Sequence, residues 1–467
     1  MRMSGKTEFD LVVIGAGPAG EKGAAQAAYH GKRVAIVERN ARPGGAMVES
    51  VYSTKTMREA ALYLTGFGRR EVYGVSLDLD PRRAVLGVRS RADHVVETMT
   101  AAVEQNLDRH GIEQVRGMAR LEGGGRVVVV PPDGGPETSL QAEVILVATG
   151  SRPFHPPGIP FDHPDVLDSE TARVLDGPLR SLVVIGGGAV GCEYASIFTA
   201  LGTEVTLVDS GARLLTYMDG EVSDALAEVF RSMGMRVVLE AGHASVRREP
   251  AGLLVELREQ EHLRPEKVVF AAGRVGNTDG LGLQEAGVKV DERGRITVDE
   301  CFRTTAPGIY AAGDVIGQPA LASVSMEQGR VAACYAFGIP FKQSVDPLAP
   351  FGVYSIPEVA MVGLTEEAAR DAGIDYETGS ALFALNARSS IAGSTSGMVK
   401  LVFARDDHRL LGVHILGDDA TELVHQGQAV LHFGGTIDHF IHSTFNVPTA
   451  SEAYKYAAYD GLQRLNG

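Results

Sequence analysis

The chain has 467 residues, with 59 acidic against 44 basic side chains and a formal net charge of −15. That length exceeds what one hydrophobic core spans and predicts two or three domains. The acidic balance, the absence of tryptophan and an aromatic content of 6% exclude nucleic acid as a partner and speak against anionic membrane surfaces. Three cysteines, Cys192, Cys301 and Cys334, stand far apart without metal-site spacing, which fits a reducing compartment and predicts neither a disulfide framework nor a zinc site. No signal-peptide pattern and no apolar run of about eighteen residues is seen, so a cytoplasmic location without membrane contact is expected.

The first predicted element is the apolar strand Phe9 to Ile14, followed by Gly15-Ala16-Gly17-Pro18-Ala19-Gly20. A strand opening into Gly-x-Gly-x-x-Gly and then a helix is a dinucleotide-binding pattern. Gly15 makes the tight turn, Gly17 admits a pyrophosphate to the backbone, and Gly20 lets helix and strand pack closely. A second strand, Arg33 to Glu38, ends in an acid 23 positions after Gly15, near the separation of about twenty expected for a ribose-binding carboxylate. Turn formers fill Arg39 to Gly45, and helical patterns follow over 55–64 and 90–110. A short strand is predicted at 127–130, and a buried one over Glu143 to Ala148 runs into Thr149-Gly150. Prolines 153, 156, 157 and 160 mark a linker.

The opening pattern then returns. Strand 181–185 leads into Gly186-Gly187-Gly188-Ala189-Val190-Gly191, a helix from Cys192, and a strand ending at Asp209, again 23 positions after the first glycine. Two complete patterns predict two dinucleotide sites. Asp209 favours an unmodified ribose, hence NAD, and repels a 2′-phosphate. Arg213 is read either as a partial offset to that repulsion, leaving NADP open, or as a solvated surface charge. Further strand-and-turn signals lie at Val268 to Gly273 with Arg274, and at Gly308 to Asp314. Beyond about residue 346 strands (398–403, 410–416) alternate with helices (420–431, 451–465), as in a separately built third domain. Histidines 414, 425, 439 and 442 complete no metal-ligand pattern, and no metal is expected. Cys192, Met47 and Tyr52 are read as packing residues.

Together these segments, with Gly191-Cys192-Glu193-Tyr194, Gly276-Asn277-Thr278-Asp279, Gly313-Asp314-Val315 and the tail Val447-Pro448-Thr449 with Glu452, resemble the flavoprotein disulfide reductase family, most closely its members that exchange hydride between nicotinamide nucleotides. The resemblance spans essentially the whole chain. It implies an α/β fold with two Rossmann-like dinucleotide-binding domains plus a C-terminal α+β dimerisation domain. The expected limits are 1–152 and 276–345 for a split FAD domain, 153–275 for the NAD(P) domain, and 346–467 for dimerisation in a homodimer. It implies that the first glycine loop binds FAD and the second NAD(P)H, with NADH preferred. The residues expected to hold these nucleotides are Gly15, Gly17, Pro18, Ala19, Gly20, Glu38, Arg39, Gly45, Lys55, Ala148, Thr149, Gly150, Gly186, Gly188, Ala189, Val190, Gly191, Asp209, Gly273, Arg274, Gly313, Asp314 and Ala322. Lys55 resembles the family lysine beside flavin N5, and Glu193 its ion-pair partner; these two are the expected catalytic residues.

The chain departs from the family where disulfide chemistry would sit. The stretch Gly44 to Lys55 holds neither of the two redox cysteines, and Val447 stands where the family has its acid–base histidine. Thiol–disulfide exchange needs a thiolate and a base for its proton, so reduction of a disulfide substrate is not expected. Hydride transfer from one nicotinamide to another through the flavin needs neither, and that is the expected reaction. An NAD(P)H:quinone or dye reductase is the alternative, and a non-catalytic FAD- and NADH-binding protein the third possibility.

Overall fold

Strand Glu8–Ile14 is apolar along its whole inner length because both of its faces are covered. Leu11 and Val13 join one buried cluster with Val34, Ile36 and Leu146, while Val12 and Ile14 join another with Ala35, Val37 and Val147. The structure is a computed structural model that describes residues 7–66, 72, 74, 80–174, 177–258 and 262–466. Contacts divide the chain into two units: Met1–Ser53, Ala92–Phe154 and Gly273–Pro347 form the first, and Thr54–Arg91, His155–Ala272 and Leu348–Gly467 the second.

The first unit is built on a seven-stranded sheet in the order Glu113–Arg116, Val34–Glu38, Glu8–Ile14, Thr138–Val147, Arg126–Val130, Met118–Leu121, with Ile309–Ala311 also paired to Thr138–Val147. The central pairings are parallel, with Leu11 opposite both Val34 and Val144. Helix Pro18–Tyr29 packs against helix Ala322–Ala336 at glycines: a Cβ on Gly23 would lie 3.0 Å from the Gly329 oxygen, and one on Gly329 would lie 2.0 Å from the Ala19 oxygen. Only glycine permits that approach.

The second unit repeats the parallel plan in a five-stranded sheet ordered Arg236–Val238, Glu204–Val208, Ser181–Ile185, Lys267–Phe270, Val166–Asp168. It also contains a five-stranded antiparallel sheet, Phe351–Val353, Glu358–Gly363, Leu410–Gly417, Met398–Ala404, Tyr376–Leu382, against which helices Ala420–His432 and Glu452–Asn466 pack. The α/β class expected from the sequence is therefore present, with both glycine patterns at strand-to-helix turns.

One long helix starts earlier than its apolar periodicity predicts, running Pro81–Arg109 rather than from residue 90. Its start is set by local chemistry: the Asp80 carboxylate accepts from the Arg83 N–H at 3.3 Å, and proline at the first helical position loses no bond. Met47–Tyr52, where the family cysteines would fall, winds as a π-helical turn ahead of helix Ser53–Thr65. Among the described residues no helix is long and apolar enough to cross a membrane, and no group of three or more His, Cys, Asp or Glu is placed to hold a metal ion.

Candidate functional site

In the first unit the glycine loop is shaped by three different demands. Gly15 has φ +100°, and a Cβ there would sit 2.5 Å from the Ala148 oxygen. A Cβ on Gly20 would sit 1.9 Å from the Gly15 oxygen. Gly17 is the N-cap of helix Pro18–Tyr29, with Pro18 in its first turn, and nothing lies within 4 Å of where its Cβ would be. The protein itself leaves that space open, at the end of a helix whose free N–H groups and dipole favour an anion.

The rest of the predicted set surrounds this loop unevenly. Glu38 Oε2 accepts from the Ala16 N–H at 2.8 Å and Oε1 from the Asn40 N–H at 2.9 Å. Burial pushes its carboxyl above the ordinary value, against those hydrogen bonds. The acid thus braces the loop, and a carboxylate keeps lone pairs for a ribose hydroxyl. Gly45 packs over Gly17, its Cβ position 3.1 Å from the Gly17 Cα, while Arg39 is exposed. The Thr149 hydroxyl is buried with no hydrogen-bond partner, a group that awaits a ligand. The Gly150 oxygen accepts from the Asn277 N–H at 3.0 Å. Asp314 accepts from Ser151 Oγ at 2.9 Å and Ser325 Oγ at 3.3 Å, and Gly313, at φ +82°, donates its N–H to Gln328 Oε1 at 2.8 Å. Arg274 is committed to Ser151, with Nε 2.7 Å from Oγ and Nη2 2.7 Å from the carbonyl oxygen, and Gly273 faces open space at φ +118°. Ala322 opens helix Ala322–Ala336. An open glycine cradle, a braced ribose acid and an orphaned buried hydroxyl fit FAD.

In the second unit the same architecture recurs. Gly186 has φ +116°, a Cβ on Gly191 would lie 1.7 Å from the Gly186 oxygen, and nothing lies within 4 Å of the Gly188 Cβ position. Gly188 caps helix Ala189–Ala200, and Ala189 and Val190 form its first turn. Asp209 Oδ2 accepts from the Gly187 N–H at 2.5 Å and Oδ1 from the Gly211 N–H at 2.6 Å. Cys192 is fully buried, its thiol pushed up by burial, which fits packing rather than redox chemistry.

These two open glycines give a sharp test. The fold has room for a side chain at each, and φ is negative at both: −75° at Gly17 and −77° at Gly188. Gly17→Val is expected to purify folded but colourless, because a side chain occupies the pyrophosphate's place. Gly188→Val is expected to keep FAD and lose affinity for NADH about tenfold or more. Circular dichroism, the flavin spectrum and NADH titration read the three outcomes.

Lys55 and Glu193, 138 residues apart, meet in the second unit: Lys55 Nζ lies 2.7 Å from both Glu193 oxygens. The side chains are 24% and 8% exposed. The Tyr354 N–H donates to Glu193 Oε1 at 3.0 Å, and the Lys55 ammonium sits 4.9 Å from the Tyr354 ring centroid. One turn further along the same helix, buried Arg58 donates to the Ser355 oxygen at 2.9 Å and pairs with Glu358 at 3.2 Å. Sequence reasoning missed Arg58, Tyr354, Ser151 and Ser325. Only Arg58 left a signal, since a cation at i+3 from Lys55 shares its helix face. In the tail, Glu452 accepts from the Thr449 N–H at 3.4 Å, and Val447 is exposed.

Comparison with known proteins agrees with this geometry. Residues 9–329 match the pyridine nucleotide-disulphide oxidoreductase family and residues 349–458 its dimerisation domain. The soluble pyridine nucleotide transhydrogenase of Mycobacterium tuberculosis (strain ATCC 25177 / H37Ra) is 43% identical over 459 residues, 98% of either chain. That of Marinomonas sp. (strain MWYL1) is 37% identical over 98% of this chain and 99% of its own. Among solved structures, the Cu(II) complex of the HOCl-induced flavoprotein disulfide reductase RclA from Escherichia coli superposes with a TM-score of 0.87 at 26% identity, covering 97% of this chain and 99% of that one. LpdA from Mycobacterium tuberculosis does so with a TM-score of 0.87 at 28% identity and the same coverage. With both glycine loops, their acids and the C-terminal sheet accounted for, the chain belongs to the pyridine nucleotide-disulphide oxidoreductase family and is an FAD-dependent NAD(P)H oxidoreductase.

Proposed function

We propose that the protein moves hydride between two nicotinamide nucleotides, as the names of its transhydrogenase relatives suggest, with no sulfur relay. The observation that carries this reading is a pair of complete nucleotide cradles combined with a valine at 447 and no cysteine between Gly44 and Lys55. Bound FAD supplies the ring that takes hydride from one nucleotide and returns it to another. Gly17 and Gly188 admit the two pyrophosphates, and Glu38 and Asp209 accept from ribose hydroxyls. Lys55, held by Glu193 and the Tyr354 N–H, would supply positive charge to bound FAD. No residue need hold a proton, because hydride exchange between nicotinamides delivers none. Asp209 supports a preference for NADH. We further propose that a cytoplasmic homodimer does this work, with domain limits at 1–152, 153–275, 276–345 and 346–467.

An anaerobic half-reaction tests it. Mixing with NADH is expected to bleach the flavin, and adding a thionicotinamide NAD analogue to restore its colour. Flavin that stays oxidised would leave a binding protein, and colour restored only by a quinone would make the protein an acceptor reductase.

A further inference from the structure

Asp209 is followed by a loop that the Leu215 N–H ties to the Gly187 oxygen at 2.9 Å. Arg213 leaves from this loop, four residues after the acid assigned to the ribose. A guanidinium there is the natural partner of a ribose 2′-phosphate, which it grips with two parallel hydrogen bonds. In this structure its charge is already engaged. Arg213 Nε donates to Asp224 Oδ1 at 3.0 Å, and its Nη1 lies 3.7 Å from Glu367 Oε1. Asp224 comes from helix Gly220–Ser232 and Glu367 from helix Glu366–Asp371. Glu367 is fixed in place, since its Oε1 also accepts from the Gly220 N–H at 3.1 Å. Its other oxygen is buried with no hydrogen-bond partner.

We propose that Asp224 and Glu367 set the balance between NADH and NADPH by competing with the 2′-phosphate for Arg213. The inference rests on the reading of the second glycine loop as the nicotinamide nucleotide site. Two carboxylates against one guanidinium leave a net charge of −1 beside Asp209, which adds another. A phosphate dianion arriving there meets a negative field, and has to share Arg213 with two acids. An unmodified ribose brings no such charge and is indifferent to the arrangement. All three side chains are about half exposed, so the competition is of moderate strength and weakens with salt.

The test uses the FAD-loaded protein and two probes, adenosine 2′,5′-bisphosphate and 5′-AMP, titrated calorimetrically. Asp224→Asn with Glu367→Gln removes both charges and leaves an oxygen to accept from the Gly220 N–H. This variant is expected to tighten the bisphosphate about tenfold relative to 5′-AMP, and to raise kcat/KM for NADPH over NADH by a similar factor. Asp224→Asn alone, a change in an exposed pair, is expected to give about threefold. Adding Arg213→Ala to the double variant is expected to erase the gain. A ratio that does not move while 5′-AMP still binds overturns this inference alone, and so does a gain that survives Arg213→Ala, since general charge reduction would then explain it. Failure of wild-type protein to bind either probe overturns the nucleotide-site reading, and this inference with it.

Discussion

Replacing Lys400 by methionine is expected to destabilise the protein by about 3–5 kcal/mol, the cost of stranding buried charge. Lys400 lies in strand Met398–Ala404 and is 1% exposed. Its ammonium is 2.9 Å from Asp219 Oδ1, 2.9 Å from Glu221 Oε2 and 2.7 Å from Glu366 Oε2. Asp219 is completely buried and also caps helix Gly220–Ser232 through the Glu221 N–H at 3.1 Å. Burial opposes ionisation of both acids, yet His414, Lys400 and the Glu366 N–H together hold the Asp219 carboxyl below its ordinary value, and Lys400 with the Tyr376 hydroxyl does the same for Glu366. The sign of the pH dependence follows. Carboxyls with depressed folded-state pKa values contribute stability above the unfolded value of about 4, and lose it as pH falls through the folded values. The gap in denaturation midpoint between wild type and Lys400→Met is therefore expected to be widest near neutrality and to narrow below about pH 4. Asp219→Asn combined with Lys400→Met is expected to recover about half of the loss, because the charges leave together. Equal midpoints for wild type and Lys400→Met at pH 7 would remove the cluster from any account of stability.

That lysine also shows where sequence reasoning stops. The strand was legible over 398–403 from its apolar run, but nothing in the sequence says which of 59 acids meets the lysine inside it. The glycine loops were legible because their requirements are local: a turn at positive φ, a close approach of helix to strand, and a fixed offset to the acid. Glu38 and Asp209 were found by that offset. Their second task, bracing the loop through the Ala16 and Gly187 N–H groups, appears only in three dimensions. Arg213 stayed open between an offset to the Asp209 repulsion and a solvated surface charge, because Glu367, one of its partners, lies in a segment of sequence unrelated to the glycine loop. The π-helical turn at Met47–Tyr52 has no pattern of its own, and the helical periodicity is readable only from residue 55 onward. In each case the legible feature depended on neighbours in sequence, and the hidden one on neighbours in space.

Removing the Lys55 charge is expected to have the largest effect on catalysis. Lys55→Met should slow anaerobic bleaching of the flavin by NADH about 10²-fold, the usual cost of deleting one preorganised charge from a reacting centre. The structure shows what holds this ammonium in place. It is held by both Glu193 oxygens at 2.7 Å, where an ion pair at partial burial attracts by about 4 kcal/mol at 4 Å and an effective dielectric of 20. Glu193 is in turn fixed by the Tyr354 N–H, and the helix bearing Lys55 is anchored one turn on by Arg58 to Ser355 and Glu358. Glu193→Gln keeps an acceptor for that N–H but frees the lysine from its counter-charge. It is expected to slow bleaching about tenfold, because orientation is lost while charge is kept. If the two residues act as one unit, the double variant Lys55→Met with Glu193→Gln should be no slower than Lys55→Met alone. Arg58→Met leaves the pair intact but loosens its helix, so it should reduce the rate less than Lys55→Met and leave affinity for NADH within about twofold. A single-turnover rate that Lys55→Met leaves unchanged would place this lysine in the architecture of the second unit and outside the chemistry.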